Sequence, residues 1–189
     1  MRIQKFANWL LYQKMGWTKH VTIPFPEKFI ICLAPHTSNW DFIIGQLYAR
    51  AEGLHSNFLM KKEWFVWPLG WMFRKLGGIP VWRDKHTSMT DRLAEYAMKA
   101  DSFQLCVTPE GTRSLNAEWK KGFYYIAMKA KLPIFLYGVD FEKKLIVCSK
   151  VITPTGDIEK ELREIKLYFK DFKGRHPELF TIGEINNED

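Results

Sequence analysis

A nearly continuous run of apolar residues at positions 28–34 leads directly into the segment PHTSNWD at positions 35–41, with no room for a turn between them. Such a run suits a strand that is buried on both faces of a parallel sheet. The helical spacing of apolar residues at 39–52 predicts a helix immediately afterwards. His36 is therefore expected at the end of a buried strand, and Asp41 near the start of a helix. In open α/β sheets, ligands and catalytic groups collect at the carboxyl ends of strands, so this segment is the first candidate site.

Short strands alternate with helices along the rest of the chain. Helices are predicted at residues 3–15, 39–52, 88–100, 121–131 and 157–172, and strands at 28–34, 57–60, 79–82, 103–108, 133–138 and 145–152. The last strand follows its predecessor after a short charged turn, so it is expected to run antiparallel. This alternation predicts one α/β domain with a mixed, mostly parallel sheet flanked by helices.

Residues 3–15 have the pattern of an amphipathic N-terminal helix, with Ile3, Phe6 and Leu10 at helical spacing and several basic residues nearby. The helix could lie on an anionic membrane with its apolar face down, or it could pack on the domain as an ordinary terminal helix. We therefore assign residues 1–20 to an amphipathic helix that could associate with a membrane. The main domain then spans residues 21–189.

Residues 61–76 are unusually rich in bulky aromatic side chains, in a chain with 8 Trp and an aromatic fraction of 15%. Pro68 lies inside this segment and is expected to kink it. The segment could wall a pocket for an apolar chain, dip into lipid, or form a large aromatic core. So many Trp residues in one short segment favour the pocket or the membrane.

The composition limits the partners and the compartment. A net charge of +7 and a pI near 9.2 favour phosphates, nucleic acid or an acidic membrane surface as partners. The 3 cysteines are scattered and have no metal-binding spacing, which predicts a reducing compartment and no metal. We expect no signal peptide and no transmembrane span, because no apolar stretch approaches the ~20 residues that a span needs.

The pair His36 and Asp41 has the elements of general-base catalysis. A histidine with a pKa near neutrality can accept a proton from a hydroxyl, and a carboxylate on its other ring nitrogen fixes the tautomer. The residues 38–41 also resemble a capping box, in which Asp41 would only serve the helix N-terminus. Both interpretations remain open from these residues alone.

A second candidate site is the sequence Glu110-Gly111-Thr112-Arg113, which again follows an apolar strand. The glycine permits a tight turn that exposes backbone N–H groups, and Arg113 can bind a phosphate through two hydrogen bonds. The alternative is a loop with a surface salt bridge. Three further cations could support an anion site: Arg83, Lys62 and Lys121.

These segments together resemble the glycerolipid acyltransferase family, over residues 28–140. Its four motifs occur in order as PHTSNWD, GGIPVWR, EGTRS and LPIFLYG, and the segments Lys-Lys-Glu at 61–63 and Lys-Lys-Gly at 120–122 also match. The family includes 1-acyl-glycerol-3-phosphate acyltransferase. The resemblance identifies residues 21–189 as an acyltransferase domain. The spacing between the first and third motifs makes the resemblance specific.

The resemblance implies a role for each matching residue. His36 would be the general base, oriented by Asp41, and the acceptor hydroxyl would attack the thioester of acyl-CoA or of acyl-carrier protein. The remaining matches would bind or shape the acceptor site: Lys62, Arg83, Glu110, Gly111, Thr112, Arg113 and Lys121. No metal or other cofactor is implied. The expected acceptor is a lysophospholipid, and the expected location is the cytoplasmic face of a membrane, with peripheral attachment.

The chain departs from the family pattern near the acceptor site, at Pro35, Pro80, Trp82, Thr108 and Leu136. An acyltransferase with a different lipid acceptor is therefore one alternative. A non-catalytic basic protein that binds an anionic membrane or nucleic acid is another. No nucleic-acid motif is present, so we expect no nucleic-acid partner, and the second alternative leaves His36 and Asp41 unexplained.

Overall fold

The computed structural model describes residues 2–81 and 89–184. The helices are α1 Arg2–Asn8, α2 Asn39–Glu52, α3 Leu69–Lys75, α4 Met89–Lys99, α5 Gly122–Ala130 and α6 Ile158–Phe169, and a π-helical turn, Trp9–Lys14, continues α1. Two short 3-10 turns are Lys62–Trp64 and Pro177–Leu179. The strands are β1 Thr18–Val21, β2 Lys28–Ala34, β3 Asn57–Lys61, β4 Gly78–Val81, β5 Phe103–Val107, β6 Ile134–Asp140 and β7 Leu145–Ile152.

The strands form one 7-stranded sheet in the order β1-β7-β6-β2-β5-β3-β4. β7 runs antiparallel to β6, as predicted, and every other neighbouring pair is parallel. The prediction of a single α/β domain with a mixed, mostly parallel sheet is confirmed. Five neighbouring strands, β6, β2, β5, β3 and β4, are parallel, so their carboxyl ends lie at the same edge of the sheet.

The central strand β2 divides the core into two layers, because successive side chains of a strand point to opposite faces. Ile30, Cys32 and Ala34 belong to one buried cluster, and Phe29, Ile31 and Leu33 belong to the other. The first cluster is completed by the apolar faces of α4, α5 and α6. The second is covered by α2 and by the N-terminal helix. The sheet is thus sandwiched between helices, which explains the continuous apolar sequence of β2.

β1 was not predicted from the sequence. Its four residues are polar or half-exposed and lie at the edge of the sheet, where they pair in parallel with β7 from Thr18↔Leu145 to Val21↔Cys148. The strand is held by backbone pairing rather than by burial, so it has no apolar signature. The boundary that the sequence analysis placed after residue 20, between the N-terminal helix and the main domain, falls inside this strand.

The N-terminal helix packs on the domain through one face. Leu11 is fully buried in the second cluster, and Ala7 is also buried. Tyr12 donates a hydrogen bond of 2.7 Å to Glu52 at the end of α2. The opposite face exposes Ile3, Phe6 and Trp9. The packing interpretation therefore holds for one face, and the other face leaves apolar side chains exposed.

The aromatic segment at residues 61–76 is divided rather than continuous. Pro68 occupies the N-cap position of α3, so the segment is interrupted at this residue rather than forming one kinked helix. A missing N–H has no cost at this position. Trp64, Trp67 and Trp71 are largely exposed, with 90% of Trp67 accessible to solvent. A buried aromatic core is thereby excluded for these three side chains.

Within residues 2–81 and 89–184, no helix has both the length and the apolar character needed to cross a membrane. The sequence also has the pattern of a capping box between Ser88 and Asp91, and Ser88 lies outside the described residues.

Candidate active site

The candidate residues lie where neighbouring parallel strands end. β2 pairs with β5 in a register that aligns Cys32 with Val107, so His36 and Glu110 leave the sheet side by side. β3 is the next strand along and ends at Lys61, directly before Lys62. β4 follows β3 at the same edge. The sheet order thus brings three of the four motif-bearing segments of the sequence to one edge.

His36 and Asp41 form the contact that the sequence suggested. The Nδ1 atom of His36 lies 3.1 Å from Oδ2 of Asp41. The imidazole is 21% exposed, whereas the carboxylate is 1% exposed. The ring is therefore accessible from solvent on one side and anchored on the other.

Asp41 also serves the N-terminus of α2, so both interpretations of this residue apply. Its Oδ2 accepts hydrogen bonds of 2.8 Å from the backbone N–H groups of Thr37 and Ser38. Ser38 is the N-cap residue and completes a capping box with Asp41. The bonds that cap the helix also hold the carboxylate in place beneath the imidazole. Helix capping and orientation of the histidine are two results of one arrangement.

This arrangement determines what the imidazole can do. An Nδ1–H that donates to Asp41 leaves Nε2 without a proton and with its lone pair free to accept one. The buried carboxylate would then stabilise the imidazolium that forms after proton transfer. In this geometry the imidazole could accept a proton from a hydroxyl group.

Glu110 links the two loops. Its Oε1 accepts a hydrogen bond of 2.8 Å from the backbone N–H of His36. The side chain is buried, and this burial raises its pKa to about 7, although hydrogen bonds from the backbone of Glu110 itself and of His36 oppose the shift. Glu110 therefore positions the loop that carries His36 from the neighbouring strand end.

The turn after Glu110 has the conformation that its glycine permits. Gly111 has a φ of 67°, and its N–H donates to the carbonyl of Thr108. The hydroxyl of Thr112 accepts from the N–H of Ser114 at 3.2 Å, which stabilises the turn locally. Asn116, which the sequence analysis missed, donates to the carbonyl groups of Glu110 and Glu118 at 2.8 and 2.9 Å. Its amide closes the loop, and no sequence pattern had indicated that role.

Arg113 lies on the same side of the sheet as the histidine. Its guanidinium donates a hydrogen bond to the side-chain oxygen of Asn39, two residues before Asp41. Both Arg113 and Asn39 are exposed. Asn39 was also missed, although it falls inside the His-x4-Asp segment. The guanidinium group is thus available at the mouth of the candidate site.

Three further cations, Lys62, Lys121 and Arg83, were predicted to support the anion site. Lys62 follows β3 in the turn Lys62–Trp64 with an exposed side chain. Lys121 precedes α5 and lies near Lys166, whose pKa is lowered by partial burial and by the charge of Lys121. Within the described part of the chain, no hydrogen bond or ion pair joins Lys121 to His36 or Arg113. Arg83 lies outside the described residues.

No cluster of three or more His, Cys, Asp or Glu side chains within the described ranges could hold a metal ion. The residues gathered at this edge are a histidine with its carboxylate partner, a buried glutamate and a guanidinium. They can accept a proton and bind an anion.

Comparisons with known proteins agree with this arrangement. The model of the Acyltransferase family matches residues 18–137, well over half of the chain. No curated protein sequence matches significantly. Among solved structures, the chain is similar to the 1-acyl-sn-glycerophosphate (LPA) acyltransferase PlsC from Thermotoga maritima, with a TM-score of 0.63 and 21% identity over 89% of this chain and 76% of that one. At 21% identity, this likeness shows a similar fold. The family match over residues 18–137 shows that the chain belongs to the acyltransferase family.

Proposed function

We propose that this protein transfers an acyl group from an acyl thioester to the hydroxyl of a lysophospholipid such as 1-acyl-glycerol-3-phosphate. The observation that carries the proposal is the contact of 3.1 Å between His36 and the buried carboxylate of Asp41, with Arg113 bonded to the same turn. The donor would be acyl-CoA or acyl-carrier protein. Family membership supports the reaction class, and the basic side chains support a phosphate-bearing acceptor.

In the proposed reaction, Nε2 of His36 takes the proton of the acceptor hydroxyl as its oxygen attacks the thioester carbonyl carbon. The carbon–sulfur bond then breaks, and the leaving thiolate receives the proton from the imidazolium. Asp41 holds the ring and stabilises the transient positive charge. The protein forms no covalent acyl intermediate, because the substrate supplies its own nucleophile.

The proposed acceptor site is cationic. Arg113 would bind the phosphate through its guanidinium, which can form two parallel hydrogen bonds with phosphate oxygens. Lys62, Arg83 and Lys121 would add positive charge around it. Glu110, Gly111 and Thr112 would keep the turn in the conformation that presents Arg113. A net charge of +7 is consistent with anionic substrates and an anionic surface.

We also propose that the protein attaches peripherally to the cytoplasmic face of a membrane. Two exposed apolar surfaces support this: Ile3, Phe6 and Trp9 on the N-terminal helix, and the Trp side chains around α3. Trp side chains favour the membrane interface, where an apolar body meets a polar tip. The ammonium of Lys75 lies 4.0 Å from the ring of Trp71, so a cation accompanies the exposed aromatic surface.

A screen of acyl donors against acceptors tests the proposal. Purified protein is incubated with acyl-CoA or acyl-carrier protein and with lysophospholipids, monoacylglycerol or an aminoacyl lipid as acceptor. Acyl transfer to phosphate-bearing lysolipids is expected. Transfer only to acceptors without phosphate would replace the proposed substrate. No transfer to any acceptor, together with tight binding to anionic vesicles, would support a non-catalytic membrane-binding protein instead.

A further inference from the structure

The chain returns to the candidate site after α6, beyond the residues that the acyltransferase family model matches. The backbone N–H of His176 donates a hydrogen bond of 3.1 Å to the hydroxyl of Thr37, the residue next to His36. Gly174 lies so close to the same loop that a Cβ there would stand 2.7 Å from Oγ1 of Thr37. The segment 174–176 is therefore fixed against the loop that carries the candidate base.

Arg175 lies between these two anchors and carries an exposed guanidinium group. The group stacks over the ring of Trp40, at 5.4 Å from the ring centroid. Trp40 follows Asn39, the residue that accepts the hydrogen bond from Arg113. Because consecutive Cα atoms are about 3.8 Å apart, the two guanidinium groups meet the first turn of α2 at adjacent residues.

Both guanidinium groups are positively charged at neutral pH. Among residues 2–81 and 89–184, no carboxylate forms an ion pair with Arg113 or with Arg175. Like charges held at one turn repel each other, and a bound anion would remove that repulsion. Stacking on Trp40 also holds the Arg175 side chain in place, so that less side-chain entropy is lost when the guanidinium binds a ligand.

We propose that Arg175 is a phosphate-binding residue of this site, acting together with Arg113. The identity of the substrate that carries the phosphate rests on the proposed function. Two sources share this chemistry: the phosphate of the lysolipid acceptor and the phosphates of the CoA donor. In either case, the C-terminal segment contributes a specificity-determining side chain to a site whose other residues come from strand ends.

The test compares Arg175→Ala, Arg175→Gln and Arg175→Lys with Lys173→Ala, which removes an equal charge from an exposed position two residues away. Arg175→Gln keeps part of the stem that covers Trp40. Calorimetric binding of 1-acyl-glycerol-3-phosphate and of coenzyme A is measured at one fixed ionic strength, and KM and kcat are measured for both substrates. The melting temperature of each variant is measured to confirm that it is folded.

Arg175→Ala and Arg175→Gln are expected to weaken binding of one phosphate ligand by roughly fivefold to thirtyfold, with kcat within about twofold of the wild type. The affinity of Arg175→Lys for this ligand should lie between those of the other two Arg175 variants and that of the wild type. Lys173→Ala should bind both ligands as tightly as the wild type. A weaker affinity for lysolipid alone assigns Arg175 to the acceptor, and a weaker affinity for CoA alone assigns it to the donor.

The inference is overturned if the folded Arg175 variants bind both ligands as tightly as the wild type. It is also overturned if Lys173→Ala weakens binding equally, because the effect would then come from general surface charge. Calorimetry separates this inference from the proposed function. A wild type without transferase activity would contradict the function, while a loss of phosphate binding in Arg175→Ala would still support the inference.

Discussion

The backbone N–H of His36 donates a hydrogen bond of 2.8 Å to the carboxylate of Glu110. The two residues follow neighbouring parallel strands, β2 and β5. The loop that carries the candidate base is thus attached to the loop that carries Arg113. Glu110 is buried. A substitution of Glu110 is nevertheless expected to alter the position of His36, because this hydrogen bond joins the two loops.

Glu110 should make the stability of the protein depend on pH. Burial raises its pKa from 4.5 to about 7, so the folded state binds a proton more tightly than the unfolded state. The stabilisation of the folded state by protonated Glu110 is complete below pH 4.5 and is lost as the pH rises through about 7. The loss in the free energy of unfolding is about 3 kcal/mol. We expect Glu110→Gln to remove this loss, as measured by urea unfolding at about pH 5 and about pH 8.

Glu118→Gln is the control, since Glu118 is an exposed carboxylate in the same loop. It should unfold with the pH dependence of the wild type. If Glu110→Gln and the wild type lost equal stability over this interval, Glu110 would not be a titrating buried group.

The two roles of Asp41 can be separated by two substitutions. Asp41→Asn removes the charge that orients His36 and should lower kcat by roughly 10²–10⁴-fold. Ser38→Ala removes the hydroxyl of the helix cap but leaves the imidazole contact. It should cost about 1 kcal/mol of stability and leave kcat within about twofold of the wild type. If Asp41→Asn and Ser38→Ala lowered kcat equally, Asp41 would act only as a helix cap.

Arg113 should determine the affinity for phosphate-bearing acceptors. We expect Arg113→Ala to raise KM for a lysophosphatidate by roughly tenfold to a hundredfold, because a charge-assisted hydrogen bond is lost. Arg113→Lys should recover part of the loss, and Lys160→Ala, an exposed lysine on α6, should change nothing. If KM for the phosphate acceptor were unchanged, Arg113 would not contact the phosphate and an acceptor without phosphate would be favoured.

The position of His36 could be predicted from the sequence because two independent signals coincide there. The apolar run of β2 indicated where a buried strand ends, and the capping pattern at 38–41 indicated where α2 begins. A gap of five residues left little freedom in the geometry between His36 and Asp41. The parallel arrangement of the motif-bearing strands followed from the helices between them, and the short charged turn before β7 predicted its antiparallel pairing.

Other features depend on contacts between residues that are distant in the sequence. β1 is stabilised by pairing with β7, more than a hundred residues later, and its own side chains give no signal. The side-chain amide of Asn116 donates to backbone carbonyl groups, and Gly174 allows two segments to pack closely. No local sequence pattern encodes either contact. The contact of His176 with Thr37 spans 139 residues. The roles of Lys62, Arg83 and Lys121 in acceptor binding stay predictions.

The exposed aromatic side chains around α3 should control membrane binding. We expect Trp67→Ala combined with Trp71→Ala to weaken binding to anionic phospholipid vesicles by roughly tenfold, because apolar surface is withdrawn from the interface. Tyr125→Ala, which removes an exposed aromatic ring from α5, is the control. Unchanged vesicle sedimentation for the double variant would exclude this surface as an anchor.

The N-terminal helix requires point substitutions rather than deletion. Deleting residues 1–17 would remove the buried Leu11, and loss of that side chain alone would destabilise the domain by about 2–5 kcal/mol. Replacing Ile3 and Phe6 with Ser leaves the packed face intact. Weaker vesicle binding with an unchanged melting temperature would support a membrane role. Unchanged binding would leave packing as the function of this helix.

The most direct measurement is the rate of acyl transfer by His36→Ala, compared with His20→Ala, which alters an exposed histidine on β1. Both variants should melt near the temperature of the wild type. We expect kcat of His36→Ala to fall by roughly 10²–10⁴-fold and that of His20→Ala to be unchanged. Acyl transfer at a near-normal rate by folded His36→Ala would contradict the central claim that this histidine activates the acceptor hydroxyl.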